Sequence, residues 1–229
     1  MKSLDRRINR RRLLRGCLTA GAACALGAKS FGAEELIATP LLTEGPFYPS
    51  QLPLDTDNDL VIVGDRLTLA VGEITHLSGR ILSASGEPLR NALVEIWQVD
   101  GNGAYLHPGS ANADRRDANF QGYGRFETDS RGRYRFRTVK PGPYPGRPAP
   151  HIHFAISRNG RRIYTTQMFV NGHPGNRRDG IFHEIEDPLA RETVLVDFKP
   201  IDASGSRELA AEFEIVLGFT PPDLNHAND

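Results

Sequence analysis

The chain is nearly devoid of cysteine, holds a single tryptophan and has no long apolar run, and each shortage removes a class of function. Its two cysteines, Cys17 and Cys24, both fall within the first 33 of 229 residues. Beyond that segment there is no thiol, so cysteine nucleophiles, disulfides and thiolate zinc sites are excluded there. The most apolar stretch, residues 16–28, is short and rich in Gly and Ala, so no membrane span is expected. Formal charge is zero overall, yet it is unevenly spread. Residues 1–33 carry eight Lys/Arg and one acid; without them 20 basic and 27 acidic residues remain, a net of about −7. A body of that charge is a poor nucleic-acid binder, and no nucleic-acid partner is expected.

What is present begins with Asn9-Arg10-Arg11-Arg12-Leu13-Leu14-Arg15, followed by the small, weakly apolar run 16–28. This resembles a twin-arginine export signal over residues 1–33, with cleavage anywhere from 27 to 33. Export by that route carries folded proteins, often with a cofactor inserted, so a periplasmic or secreted protein is expected. Residues 34–58 form a Pro-rich, irregular arm. From 59 to 220, short extended runs separated by turn clusters predict a single-domain, all-β sandwich of mostly antiparallel strands with long functional loops. Candidate strands are 60–63, 67–71, 74–82, 93–99, 124–128, 133–139, 151–157, 161–170, 193–198 and 212–217. Tyr134, Phe136 and Thr138 alternate with Arg133, Arg135 and Arg137. A turn or two of helix is expected near 187–191, and residues 221–229 read as a C-terminal tail. The connection 100–123, rich in Gly, Asn, Asp and Arg, is long enough to be functional.

The chemistry concentrates in Pro141-Gly-Pro-Tyr-Pro-Gly-Arg-Pro-Ala-Pro-His-Ile-His-Phe154. In an extended segment His151 and His153 project from one face, Ile152 and Phe154 from the other. The apolar pair can then enter a core while both imidazoles face one point, as a metal site requires. Tyr144, fixed between Pro143 and Pro145, is the natural anionic companion, since no Cys, Asp or Glu stands beside the histidines. A phenolate is a hard donor and favours Fe(III) over zinc or Cu(I). His76, His107, His173, His183 and His226 show no convergent spacing and read as structural or surface residues.

The ordered run Val94-Glu-Ile-Trp-Gln98, Gly103-Ala-Tyr105, Asp129-Ser-Arg-Gly-Arg-Tyr-Arg-Phe-Arg-Thr-Val-Lys-Pro-Gly-Pro-Tyr-Pro145, His151-Ile-His-Phe154 and Thr166-Gln-Met-Phe169 resembles the intradiol ring-cleaving dioxygenases. Within that family it is most similar to the protocatechuate 3,4-dioxygenase type, in particular its iron-binding β subunit, over residues 40–220. The resemblance implies a non-haem Fe(III) held by Tyr105, Tyr144, His151 and His153, with Tyr144 and His153 axial. It implies Gln167 beside the metal and Tyr144 accepting a catechol proton. Arg147 would stabilise negative charge on the ring. Here the chain departs from the pattern: Arg147 stands four residues before His151 rather than three, so it either reaches the pocket or faces solvent. Thr43-Glu-Gly-Pro-Phe-Tyr48 is similar to a substrate-side segment of the α subunit, making Thr43, Gly45, Pro46 and Tyr48 candidate substrate residues. Tyr48, or an arginine of the 115–125 loop, is the candidate reader of a ring carboxylate. Ligands and this segment in one chain imply a self-sufficient homo-oligomer or monomer, with a catechol and O2 as partners. The residues before Thr43 leave no room for the helical dimerisation segment of the catechol and hydroxyquinol types.

Two other readings stand beside this one. A non-catalytic exported β-sandwich binding module would show a substituted ligand, and all four positions are intact. A zinc hydrolase would need a carboxylate base near the histidines.

Overall fold

The computed structural model describes residues 36–201, 205 and 207–221. The expected export signal, and the tail beyond 221, lie outside the described residues. Among the described residues the fold is predominantly β, built as two five-stranded sheets with two short α-helices and long loops.

In the first sheet β1 (Ile74–Leu82) pairs antiparallel with β4 (Arg133–Val139), Leu77 facing Phe136 and Gly79 facing Tyr134. On the other flank of β1 run β9 (Leu209–Glu212) and β10 (Ile215–Val216), both parallel to it, and β8 (Phe198–Pro200) completes the sheet against β9. The second sheet has the order β3 (Tyr123–Glu127), β2 (Leu93–Trp97), β5 (His151–Arg158), β6 (Arg161–Val170) and β7 (Leu195–Val196). One apolar cluster draws on both sheets: Leu77, Ile81 and Phe136 from one, Val94, Ile96, Ile152, Phe154 and Met168 from the other.

Several expectations need correction, among them 193–198, which is not one strand because β7 ends at Val196 in the second sheet and β8 begins at Phe198 in the first. Residues 60–63 and 67–71 are not strands. Leu60 and Val61 are buried, but Asp59 Oδ1 takes the Val61 amide and Asp117 Oδ2 the Val71 amide, at 3.2 and 2.7 Å. Such side chains offer the backbone an alternative to a ladder. Leu67 and Val71 are exposed and only Ala70 of 67–71 is buried, so no alternating apolar face holds the run down. The run 212–217 is not one strand, because the Tyr134 hydroxyl donates to the Phe213 carbonyl at 2.5 Å and occupies it. That approach also explains Gly79, where a Cβ would lie 1.8 Å from the Phe213 oxygen. Helix is richer than expected: α2 (Pro188–Thr193) is the turn or two of helix expected near 187–191, but α1 (Gly180–His183) was not foreseen.

Phe154 is fully buried and packs edge-on to Phe213, ring centroids 5.0 Å apart, across the two sheets. Phe154→Ala is expected to cost about 3–5 kcal/mol in urea unfolding, whereas Leu54→Ala, at an exposed position, stays within about 0.5 kcal/mol.

Candidate metal centre

The second sheet has two different faces. Residues directly opposite on neighbouring strands share a face, and the register sets Trp97 against His153 and His153 against Gln167. Ile152 and Phe154 therefore enter the main core, while His151 and His153 stand on the reverse face, both buried. Two loops close over that face. The connection after β2 delivers Tyr105, shaped by the buried Asp100: its Oδ1 accepts the Asn102 and Ala104 amides at 2.8 and 3.0 Å, and its Oδ2 accepts the Asp117 amide. The connection after β4 delivers Tyr144 in a tight turn, with Arg147 N–H donating to the Tyr144 carbonyl at 3.0 Å. Pro145 and Gly146 occupy its centre, Gly146 at φ 92°, as a turn of this kind demands.

These elements bring the four expected side chains together. The Tyr105 hydroxyl lies 3.2 Å from His151 Nε2 and 3.0 Å from His153 Nε2. Tyr144 packs edge-on to Tyr105, ring centroids 5.1 Å apart, and lies against His151. His151 Nδ1 donates to the Ala149 carbonyl at 2.7 Å, so its Nε2 presents a lone pair to the centre. His153 is held differently: its Nδ1 is buried without a partner, and its ring stacks on Trp97 at 4.9 Å and 6°.

Electrostatics suit a cation. Burial, then the Arg147 charge, pushes His151 down to about 3, and burial with its neighbours His151 and Arg147 pushes His153 well below its ordinary value. Both imidazoles are thus neutral at pH 7, as ligands must be. Burial, then the neighbouring Tyr144, holds the Tyr105 phenol well above its usual range, and burial raises Tyr144 as well. A trivalent ion at the point the side chains share would take both Nε2 lone pairs and favour loss of both phenol protons. The donor set fits a hard cation such as Fe(III). Among the described residues no group of three His, Cys, Asp or Glu could hold a metal, so the site depends on its tyrosines.

The guanidinium of Arg147 turns inward despite the altered spacing. Its Nε donates to Asp179 Oδ2 at 2.8 Å and its terminal nitrogen to Gln167 Oε1 at 2.9 Å. Gln167, fully buried, donates in turn to the Thr43 carbonyl at 2.8 Å. Asp179 was not foreseen; it is buried, caps α1 and accepts from Phe182 N–H. Burial raises its carboxyl, but the Arg147 hydrogen bond and charge outweigh that and leave it below its ordinary value. Thr43, Gly45 and Pro46 lie on the arm crossing the site, and a Cβ on Gly45 would meet His153 Cε1 at 3.2 Å. Tyr48 does not offer its proton to a ligand, because its hydroxyl donates to Glu95 at 2.7 Å. His107 sits edge-on to Phe47 at 5.7 Å rather than at the centre, and His76 pairs with Glu208. His226 lies outside the described residues.

Removing one partner of a buried ion pair strands the other charge. Asp179→Ala is expected to lower the stability of metal-free protein by about 3–5 kcal/mol. In urea unfolding, adding Arg147→Ala should then cost less than it does alone, because the stranded charge is gone.

Comparison with known proteins agrees with this architecture. Residues 43–218 match a family model described as dioxygenase. The protocatechuate 3,4-dioxygenase beta chain of Burkholderia cepacia is 36% identical over 180 residues, covering 75% of this chain and 76% of that one. The catechol 1,2-dioxygenase of Acinetobacter baylyi is 33% identical over 178 residues, 70% of this chain but 53% of its own length, so the chain spans about half of that relative. Among solved structures, the dioxygenase domain of a dioxygenase carbohydrate-binding protein fusion from Streptomyces sp. SirexAA-E superposes with a TM-score of 0.60 at 28% identity, covering 80% of this chain and 100% of that domain. With its sheets, its buried tyrosine–histidine cluster and these matches taken together, the chain belongs to the intradiol ring-cleavage dioxygenase family.

Proposed function

We propose that the chain is a non-haem Fe(III) intradiol dioxygenase. It would open protocatechuate or a related catechol with O2 between the two hydroxylated carbons, giving a cis,cis-muconate (3-carboxy-cis,cis-muconate from protocatechuate). The observation that carries this is the Tyr105 hydroxyl set within 3.2 Å of two neutral, buried imidazole nitrogens. Tyr105, Tyr144, His151 and His153 would hold the iron, whose Lewis acidity would make a chelating catecholate ring reactive toward O2.

The chain's own residues divide the remaining work. Tyr105 is fully buried, stacked by Phe47 at 4.9 Å, and its amide is tied to Ser110 Oγ at 3.0 Å. Tyr144 is only half-buried and lies on a turn. Of the two phenols it is the one free to withdraw and accept a proton from an incoming catechol. Arg147 is fixed by Asp179 and Gln167 with its positive charge beside the imidazoles, where it favours an anionic ring in a low-dielectric pocket. Phe47, Tyr48 and Trp97 pack around Tyr105 and keep water from this face.

The residues for both jobs, metal and arm, come from one chain, which supports a self-sufficient monomer or homo-oligomer. The acidic balance beyond residue 33 argues against a nucleic-acid partner. Among the described residues no helix is long and apolar enough to cross a membrane. Export of the folded protein rests on the Asn9–Arg15 pattern alone.

Iron-loaded protein is expected to be burgundy through phenolate-to-Fe(III) charge transfer and to consume one O2 per catechol. Tyr144→Phe should shift the visible band, and His151→Ala should lose the iron. An oxygen electrode run over a catechol panel with product identification tests the reading. A His151→Ala protein that keeps iron and turns over normally would remove that ligand from the scheme.

A further inference from the structure

Outside the metal centre, Glu95 is a buried charge in the middle of β2, otherwise surrounded by apolar strand residues. A buried carboxylate persists only when its oxygens are satisfied. Glu95 Oε1 accepts from the Tyr48 and Tyr123 hydroxyls, each at 2.7 Å, and Oε2 accepts from Arg162 at 3.1 Å. Arg162, at the start of β6, also pairs with Glu44 and lays its guanidinium over the Tyr48 ring, 4.5 Å from the centroid. Two of these partners, Glu44 and Tyr48, belong to the arm.

The arm reaches this point along a defined path. The Leu42 amide donates to the Thr165 carbonyl at 3.1 Å, and Gln167 holds the Thr43 carbonyl. Between the anchors at 44 and 48 run only Gly45, Pro46 and Phe47. Gly45, at φ 70°, lies beside His153 so closely that a Cβ there would meet its Cε1 at 3.2 Å, and Phe47 stacks on Tyr105. The anchored residues thus flank Gly45 and Phe47, which lie against two of the candidate ligands.

We propose that Arg162 and Glu95 are positioning residues: one guanidinium, neutralised by a buried carboxylate, locks the arm at Glu44 and Tyr48 and so sets where Gly45 and Phe47 lie over His153 and Tyr105. A guanidinium suits this task because its planar fork meets two carboxylates and an aromatic face at once. The lock acts on the shape of the substrate space and touches neither metal nor catechol. Only its kinetic consequence rests on the ring-cleavage reading.

Hydrogen exchange on the metal-free full-length chain reads the lock without reference to turnover. Arg162→Gln, at a half-exposed position tolerant of change, is expected to speed exchange of the Leu42 and Gly45 amides by about tenfold or more, with β1 and β4 amides unaltered. Arg162→Lys, which keeps the charge but loses the fork, should fall between, and Glu95→Gln should match Arg162→Gln. In iron-loaded protein at unchanged iron content, Arg162→Gln should raise KM for catechol about tenfold while kcat stays within about threefold. Unaltered arm exchange in Arg162→Gln, or equal acceleration in β1 and β4, would overturn the lock. Faster arm exchange with wild-type KM would overturn its positioning role. Wild-type protein that consumes no catechol would sink the ring-cleavage reading, while the exchange comparison still accepts or rejects the lock.

Discussion

Two buried imidazole nitrogens lie within 3.2 Å of one buried phenol oxygen. Burial alone opposes such a gathering, since each group gives up water for a crowded polar neighbour. The surroundings keep it in place. The Ala149 carbonyl orients one ring and Trp97 the other, Asp100 shapes the loop that brings Tyr105, and a Pro–Gly turn presents Tyr144. A cation held by those groups would turn the arrangement from a cost into a set of bonds, with the second sheet and its loops as the frame.

The frame works because a strand has two faces. One face of β5 places Ile152 and Phe154 in the core, so the register of the strand is set by apolar burial; a slip of one residue would exchange core and site. His151 and His153 inherit their positions from that register. Around them, charge is handled in closed pairs. Arg147 is matched by Asp179, and Arg162 by Glu95 and Glu44. Each guanidinium also reaches toward the arm, Arg147 through Gln167 and Arg162 directly, so the arm and the sheet face are joined at both ends of the site.

Much of this was readable in advance, for identifiable reasons. Strands 74–82, 133–139 and 161–170 were legible at their true limits because alternation and turn residues agree there. The histidine pair declares itself by a period of two. Residues 60–71 misled because their apolar composition imitates a strand, while aspartate side chains take their amides. Asp179 was missed because a helix of four residues leaves almost no periodic trace, and its cap is visible only once α1 is seen. Glu95 carried a signal that could have been used: a charge inside a run of buried strand residues requires partners. Those partners lie 28, 47 and 67 residues away, beyond the reach of local pattern.

The sequence by itself determined which residues alternate, where the chain must turn, that no thiol chemistry is available beyond residue 33, and that two histidines share a face. Those properties depend on neighbours along the chain and on strand geometry. Only the tertiary structure decided that Tyr105 and Tyr144 meet those histidines, that Arg147 turns toward Asp179 rather than solvent, and that Tyr48 is committed to Glu95. Each depends on how separate loops fold back over one sheet face, where the polar partners that fix them come from residues distant along the chain.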